Sequence, residues 1–239
     1  MRNIMRRELI QYFFTPVGYV FLSIFWVLGS VFFFLFNILP GTSSLSALFG
    51  NIGYLFMMIV PILTMRLFSE EKRNKTDQLF YCAPIHLWTV VIGKFMAACF
   101  VLFCGLMGMG IYVAIIAKYG NLYLGTVLCG FLGLFLLCAC YIAIGLLLSA
   151  VSENQMTAAV LTFGMNMLLQ LIEAIAPALH VPYFPFLPSI LSRLSLHKWQ
   201  SMFIQGIIEP APILYYLGFI TITLSVTVFF LDKHRWGKG

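Results

Sequence analysis

Six times along this chain an apolar run of about twenty or more residues recurs, long enough for a helix to cross the roughly 30 Å hydrocarbon core of a bilayer. The runs fall at 17–39, 47–65, 95–117, 122–150, 156–176 and 213–231. In lipid every backbone N–H and C=O must be satisfied within the segment, so each run predicts a helix. Composition closes the alternative: 62% of the 239 residues are hydrophobic and only 9% charged, too few polar side chains to clothe a soluble domain of this size. The expectation is an all-α integral membrane protein, one transmembrane domain spanning residues 1–239.

Orientation follows from the Lys and Arg residues. With the N-terminus inside, Arg2, Arg6, Arg7, Arg66, Lys72, Arg73, Lys75, Lys94, Lys233, Arg235 and Lys238 lie on the inner side, and only Lys118, Arg193 and Lys198 on the outer. Such a bias predicts two cytoplasmic termini in a multi-pass protein of the cell membrane. The basic residues before the first run resemble a signal peptide, but that run is too long and lacks a small-residue cleavage site, so it is expected to be retained.

Four segments lie between or beside the spans. Residues 1–14 place Ile4, Met5, Leu9, Tyr12 and Phe13 on one side and Asn3, Arg6 and Arg7 on the other, predicting an amphipathic helix on the inner surface, with Glu8 out of place in its apolar arc. Residues 66–94 form the longest inner connection, and 151–155 a tight inner turn. Residues 178–212, opening with Pro182, Pro185 and Pro188, predict re-entrant or interfacial outer helices before the last span.

The chain carries no phosphate cradle, no His-Glu-x-x-His and no Gly-x-Ser-x-Gly, so no catalytic motif and no cofactor site is read in it. Cys99, Cys104, Cys129, Cys138 and Cys140 sit within apolar runs and read as buried residues, and Cys138 and Cys140 point to nearly opposite sides of a helix. The Met107/Met109 and Met165/Met167 pairs read as packing. Glu173, His180 and His197 all fall near the outer surface, where the expectation is solvated loop histidines rather than a metal site. Polar residues inside spans are costly and informative. Thr162, Asn166, Gln170 and Glu173 recur on one face of the fifth span, predicting either a translocation path or subunit seam, or a simple interhelical glue. Ala139, Ala143, Gly145 and Ser149 form a small-residue packing stripe on the fourth.

The inner loop alternates acids and bases through Glu70-Glu71-Lys72-Arg73 and Asp77, then turns apolar at Leu79-Phe80-Tyr81. That pattern suits a short helix docking in another protein's groove, or a solvated connector, better than a lipid-binding basic run. The whole chain resembles the permease subunits of type-2 ABC transporters, particularly the gliding-motility and NosY-like members. The resemblance rests on Arg7-Glu8-Leu9 and Tyr12-Phe13 ahead of Pro16 and Tyr19, on the Glu70-to-Thr76 run with Leu79, Pro84 and Gly93-Lys94, and on Ser152-Glu153-Asn154-Gln155. The family commonly has Gly where this chain has Lys75. The resemblance implies a non-catalytic membrane subunit, in an exporter, driven by a separate ATPase subunit that holds ATP and Mg. It implies a second permease chain as homo- or heterodimer partner, and possible auxiliary subunits. It also implies a coupling helix over 70–84 built on Glu70, Glu71, Lys72, Arg73, Thr76, Asp77, Leu79 and Pro84. Thr162, Asn166, Gln170 and Glu173 would then lie near the dimer seam. Nucleic acid is no expected partner. The alternative is an ATP-independent membrane enzyme or scaffold, or a secondary transporter.

Overall fold

The structure, a computed structural model, describes residues 2–74, 86–120, 123–175 and 195–236. Its elements are all helical. α1 (Arg2–Phe14) leads into α2 (Pro16–Phe33), continued by a π-helical turn (Phe34–Ile38). Then come α3 (Ser46–Thr64), α4 (Ser69–Arg73), α5 (Leu87–Gly108), α6 (Gly110–Tyr119), α7 (Leu124–Val151), α8 (Gln155–Ile175), α9 (Leu196–Ile204) and α10 (Pro210–Trp236). Among the described residues six stretches are long and apolar enough to cross a membrane: Pro16–Ile38, Ser46–Arg73, Leu87–Tyr119, Leu124–Val151, Gln155–Ile172 and Pro210–Lys233.

Local chemistry sets the boundaries. Pro16 occupies the first turn of α2, where its missing N–H costs nothing and its fixed φ suits a helix. At the far end of α2, Asn37 folds back, its Nδ2 donating to the carbonyls of Thr42 (3.2 Å) and Ser44 (2.9 Å), while Gly41 supplies the left-handed φ of +65° that the turn requires. α3 runs through Pro61 and ends three residues later at Thr64, with the Met65 N–H on the Pro61 carbonyl.

The third span differs from the sequence expectation. α5 begins at Leu87, eight residues before Phe95, so Lys94 sits two turns inside a helix instead of marking its edge. Leu87, Trp88, Val90 and Val91 already provide an apolar lead-in, and Lys94 is tolerated there because it is paired. The same span breaks at Gly108–Gly110, where the Trp26 indole N–H donates to the Gly105 carbonyl at 3.1 Å.

α7 is the hub of the bundle, packed against α3, α5, α8, α9 and α10 and the most buried of the spans. Lipid tails are as apolar as Leu, so close backbone approach, not hydrophobic exclusion, must bind such helices. Small residues permit it. A Cβ at Gly145 would run into the Thr64 side chain of α3, one at Gly130 into Phe49, and one at Gly133 into Phe203 of α9. α8 is held by one face only and is the least buried span.

Candidate functional site

At one end of the bundle the helices converge on α4, a single helical turn. The chain leaves α3 at Thr64, and the carbonyls and N–H groups released there need partners. Tyr12 of α1 takes one, its hydroxyl donating to the Leu63 carbonyl at 2.9 Å. Ser149, near the end of α7, takes three more: its Oγ accepts from the N–H groups of Phe68 (3.0 Å) and Ser69 (3.2 Å) and donates to the Met65 carbonyl (3.2 Å). One donor and two lone pairs exhaust a hydroxyl, so Ser149 acts as an N-cap supplied from another helix. Lys72 donates from α4 back to the Ala150 carbonyl.

Charge completes the assembly. Lys94 is only 1% exposed, and its Nζ lies 2.8 Å from Glu8 Oε1 on α1, 3.0 Å from Glu71 Oε2 on α4 and 2.6 Å from the Leu67 carbonyl, 5.0 Å above the Phe68 ring. Two carboxylates around one ammonium leave a negative charge. Arg7, reaching in from the surface, cancels it by donating to Glu71 Oε1 at 2.8 Å. The four groups are neutral together, which is what burial demands. A second chain of contacts runs outside them: Arg66 pairs with Glu70 at 2.7 Å and donates to Thr15 Oγ1 at 2.7 Å, and Thr15 donates to the Gln11 carbonyl at 2.6 Å.

Four of the residues assigned from the sequence to a coupling helix are thus placed. Glu71 and Lys72 turn toward the bundle, Glu70 is half-buried, and Arg73 is exposed beside Asn74. Thr76, Asp77, Leu79 and Pro84 lie outside the described residues. Sequence reasoning missed Glu8, Arg7, Lys94 and Ser149 as members of one site. The signal was there in Glu8, a carboxylate in the apolar arc of α1, which faces Lys94.

On α8, Thr162 and Asn166 are buried against the bundle, Gln170 is half-buried, and the Glu173 side chain lies outside the described residues. Thr162 returns its hydroxyl to the Ala158 carbonyl at 2.7 Å, whereas neither amide atom of Asn166 has a hydrogen-bond partner among the described residues.

The opposite end corrects one expectation. His197 is not a solvated loop histidine: α9 inserts between α3 and α7, where the His197 ring stacks on Tyr54 with centroids 4.2 Å apart and Nε2 is 3.0 Å from the Tyr141 hydroxyl. Burial pushes the imidazole down to about 4, so it is neutral at physiological pH. Gln200, one turn on, donates to the Phe49 carbonyl at 3.0 Å in space left by Gly53, and Tyr216 of α10 donates to the Leu196 carbonyl at 2.6 Å. The apolar character of the loop had suggested contact with the interface; His197 and Gln200 hide their polarity in partners on other helices. His180 lies outside the described residues.

Residues 51–231 match the family model described as ABC-2 family transporter protein. No curated protein matches the chain.

Proposed function

The chain belongs to the ABC-2 transporter family, and from that premise we propose that it is the membrane-spanning subunit of an ATP-driven exporter, of the gliding-motility or NosY-like kind. A separate ATPase subunit binds ATP and Mg and hydrolyses the nucleotide; this chain supplies the route and receives the stroke. The termini and α4 face the cytoplasm of the cell that carries it in its plasma or inner membrane. A second permease chain, identical or related, completes the complex, with auxiliary subunits outside it.

The observation that carries this reading is the way α4 is tied down. Ser149 and Lys72 bind it to α7, Lys94 binds it to α5, and the chain itself joins it to α3. A push on α4 therefore reaches three spans directly, as a rigid-body switch requires. Arg73 of α4 and Asn74 just after it are exposed and offer a surface for the ATPase, while Glu71 and Lys72 transmit from within. At the other end, α9 closes the exit.

The test is purification of the tagged chain from its native membrane, with mass spectrometry of copurifying chains and an ATPase assay. A stoichiometric P-loop ATPase, lost on alteration of 70–79, is the expected result. A homogeneous preparation without any ATPase overturns the reading.

A further inference from the structure

We infer that α8 has a second seating in the bundle, and that Asn166 is the residue whose surroundings distinguish the two. The inference deepens the transport reading and rests on it.

Asn166 stands eleven residues into α8, which begins at Gln155, and so near the middle of a span. It is 1% exposed, and neither Nδ2 nor Oδ1 has a hydrogen-bond partner among the described residues. At this depth no bulk water reaches an amide, and an unbonded one forfeits its full desolvation cost. Its neighbour on the same face, Thr162, directs its hydroxyl to the Ala158 carbonyl and makes no bond to Asn166. At the turn into α8, Ser152 repeats the pattern: it is buried and its Oγ has no hydrogen-bond partner among the described residues. Two buried polar side chains, Ser152 ahead of the helix and Asn166 at its centre, are thus without partners among the described residues in the seating observed.

α8 is gripped along one side only. Met156, Val160, Met165 and Leu168 are exposed on its other side, so only one face grips the bundle. The short turn before it is pinned locally, with the Met156 N–H on Asn154 Oδ1 at 3.3 Å and the Ala158 N–H on the Asn154 carbonyl at 3.0 Å. In the second seating α8 parts from α3 and α7, and the Asn166 amide meets water or the transported molecule in an open conduit. An amide both donates and accepts, and the hydrogen-bonding side chains of Thr162 and Gln170 share its face, so the group recognised there is a hydrogen-bonding one. The observed seating is then the shut one.

Leu has the same branched skeleton as Asn without its polar atoms, which makes Asn166→Leu the direct test, with Asn166→Ala as a variant that cannot overpack. In lipid nanodiscs the purified chain with Asn166→Leu should melt about 2–6 °C higher than wild type. In the complex purified with its ATPase, both variants should lower MgATP hydrolysis several-fold, because the shut seating is favoured or the open one has lost its amide. A lower midpoint for both variants means Asn166 has a partner at rest and overturns the inference. A higher midpoint with unchanged hydrolysis overturns the second seating. Failure to recover any ATPase removes the transport reading itself, and this inference with it, whatever the midpoints show.

Discussion

Lys94 Nζ lies 2.8 Å from Glu8 Oε1, across 86 positions of sequence, in a place almost closed to solvent. The pair locks the N-terminal helix to the third span, and the same ammonium holds Glu71 of α4. Removing the shared cation strands the buried Glu8 carboxylate and leaves Glu71 with Arg7. Lys94→Met should therefore cost on the order of 3–5 kcal/mol, the range for breaking a buried pair from one side. Glu8→Gln, which keeps a hydrogen-bonding group of the same shape, should cost clearly less. Thermal midpoints in nanodiscs compare them, and equal midpoints for wild type and Lys94→Met would contradict the assignment.

Ser149 offers a second measure of how α4 is attached. With Ser149→Ala the N–H groups of Phe68 and Ser69 lose their acceptor, a loss of about 0.5–2 kcal/mol by analogy with helix caps. The effect should be local: faster hydrogen exchange at Phe68 and Ser69, with α9 at the opposite end unchanged. Exchange that rises equally at both ends would point to general loosening instead.

The spans were legible because hydropathy over twenty residues is a property of the segment alone. The ionic site was only partly so. Glu70, Glu71, Lys72 and Arg73 announced a charged turn, but whether each faces the bundle or the cytoplasm depends on what α1, α5 and α7 bring to it. Lys94 reads as a topology marker until Glu8 and Glu71 are seen beside it. Glu8 was conspicuous as a charge in an apolar arc, yet its partner lies in a distant helix. His197 was read from its loop, and only the ring of Tyr54 and the hydroxyl of Tyr141 reveal that the loop folds inward.

Helix spacing makes a third prediction. The α3–α7 approach leaves no room for a Cβ at Gly145 beside Thr64. Gly145→Ala should destabilise the chain by about 1–3 kcal/mol through overpacking. Thr64→Ala removes the obstructing hydroxyl and methyl, so the double variant should recover part of the loss. A double variant no better than the sum of the singles would place the strain elsewhere.

His197 gives the last prediction, and its sign follows from burial. In the seated helix the imidazole titrates near 4, against an ordinary value of 6.5 once α9 is released. Between those values the released form binds a proton that the seated form does not, so stability rises with pH across that window and is fully present above about 6.5. Among the described residues the ring meets Tyr54, Tyr141 and Gln200, none of them a carboxylate or a cation. Lowering the pH from 6.5 toward 4 should therefore lower the melting midpoint of the wild-type chain more than that of His197→Gln, which has no proton to take up. Every other ionisable group is common to the two proteins and cancels in the comparison. Parallel curves for the two proteins would mean that the seated imidazole already carries its proton, and that α9 is held in some way other than by the neutral ring between Tyr54 and Tyr141.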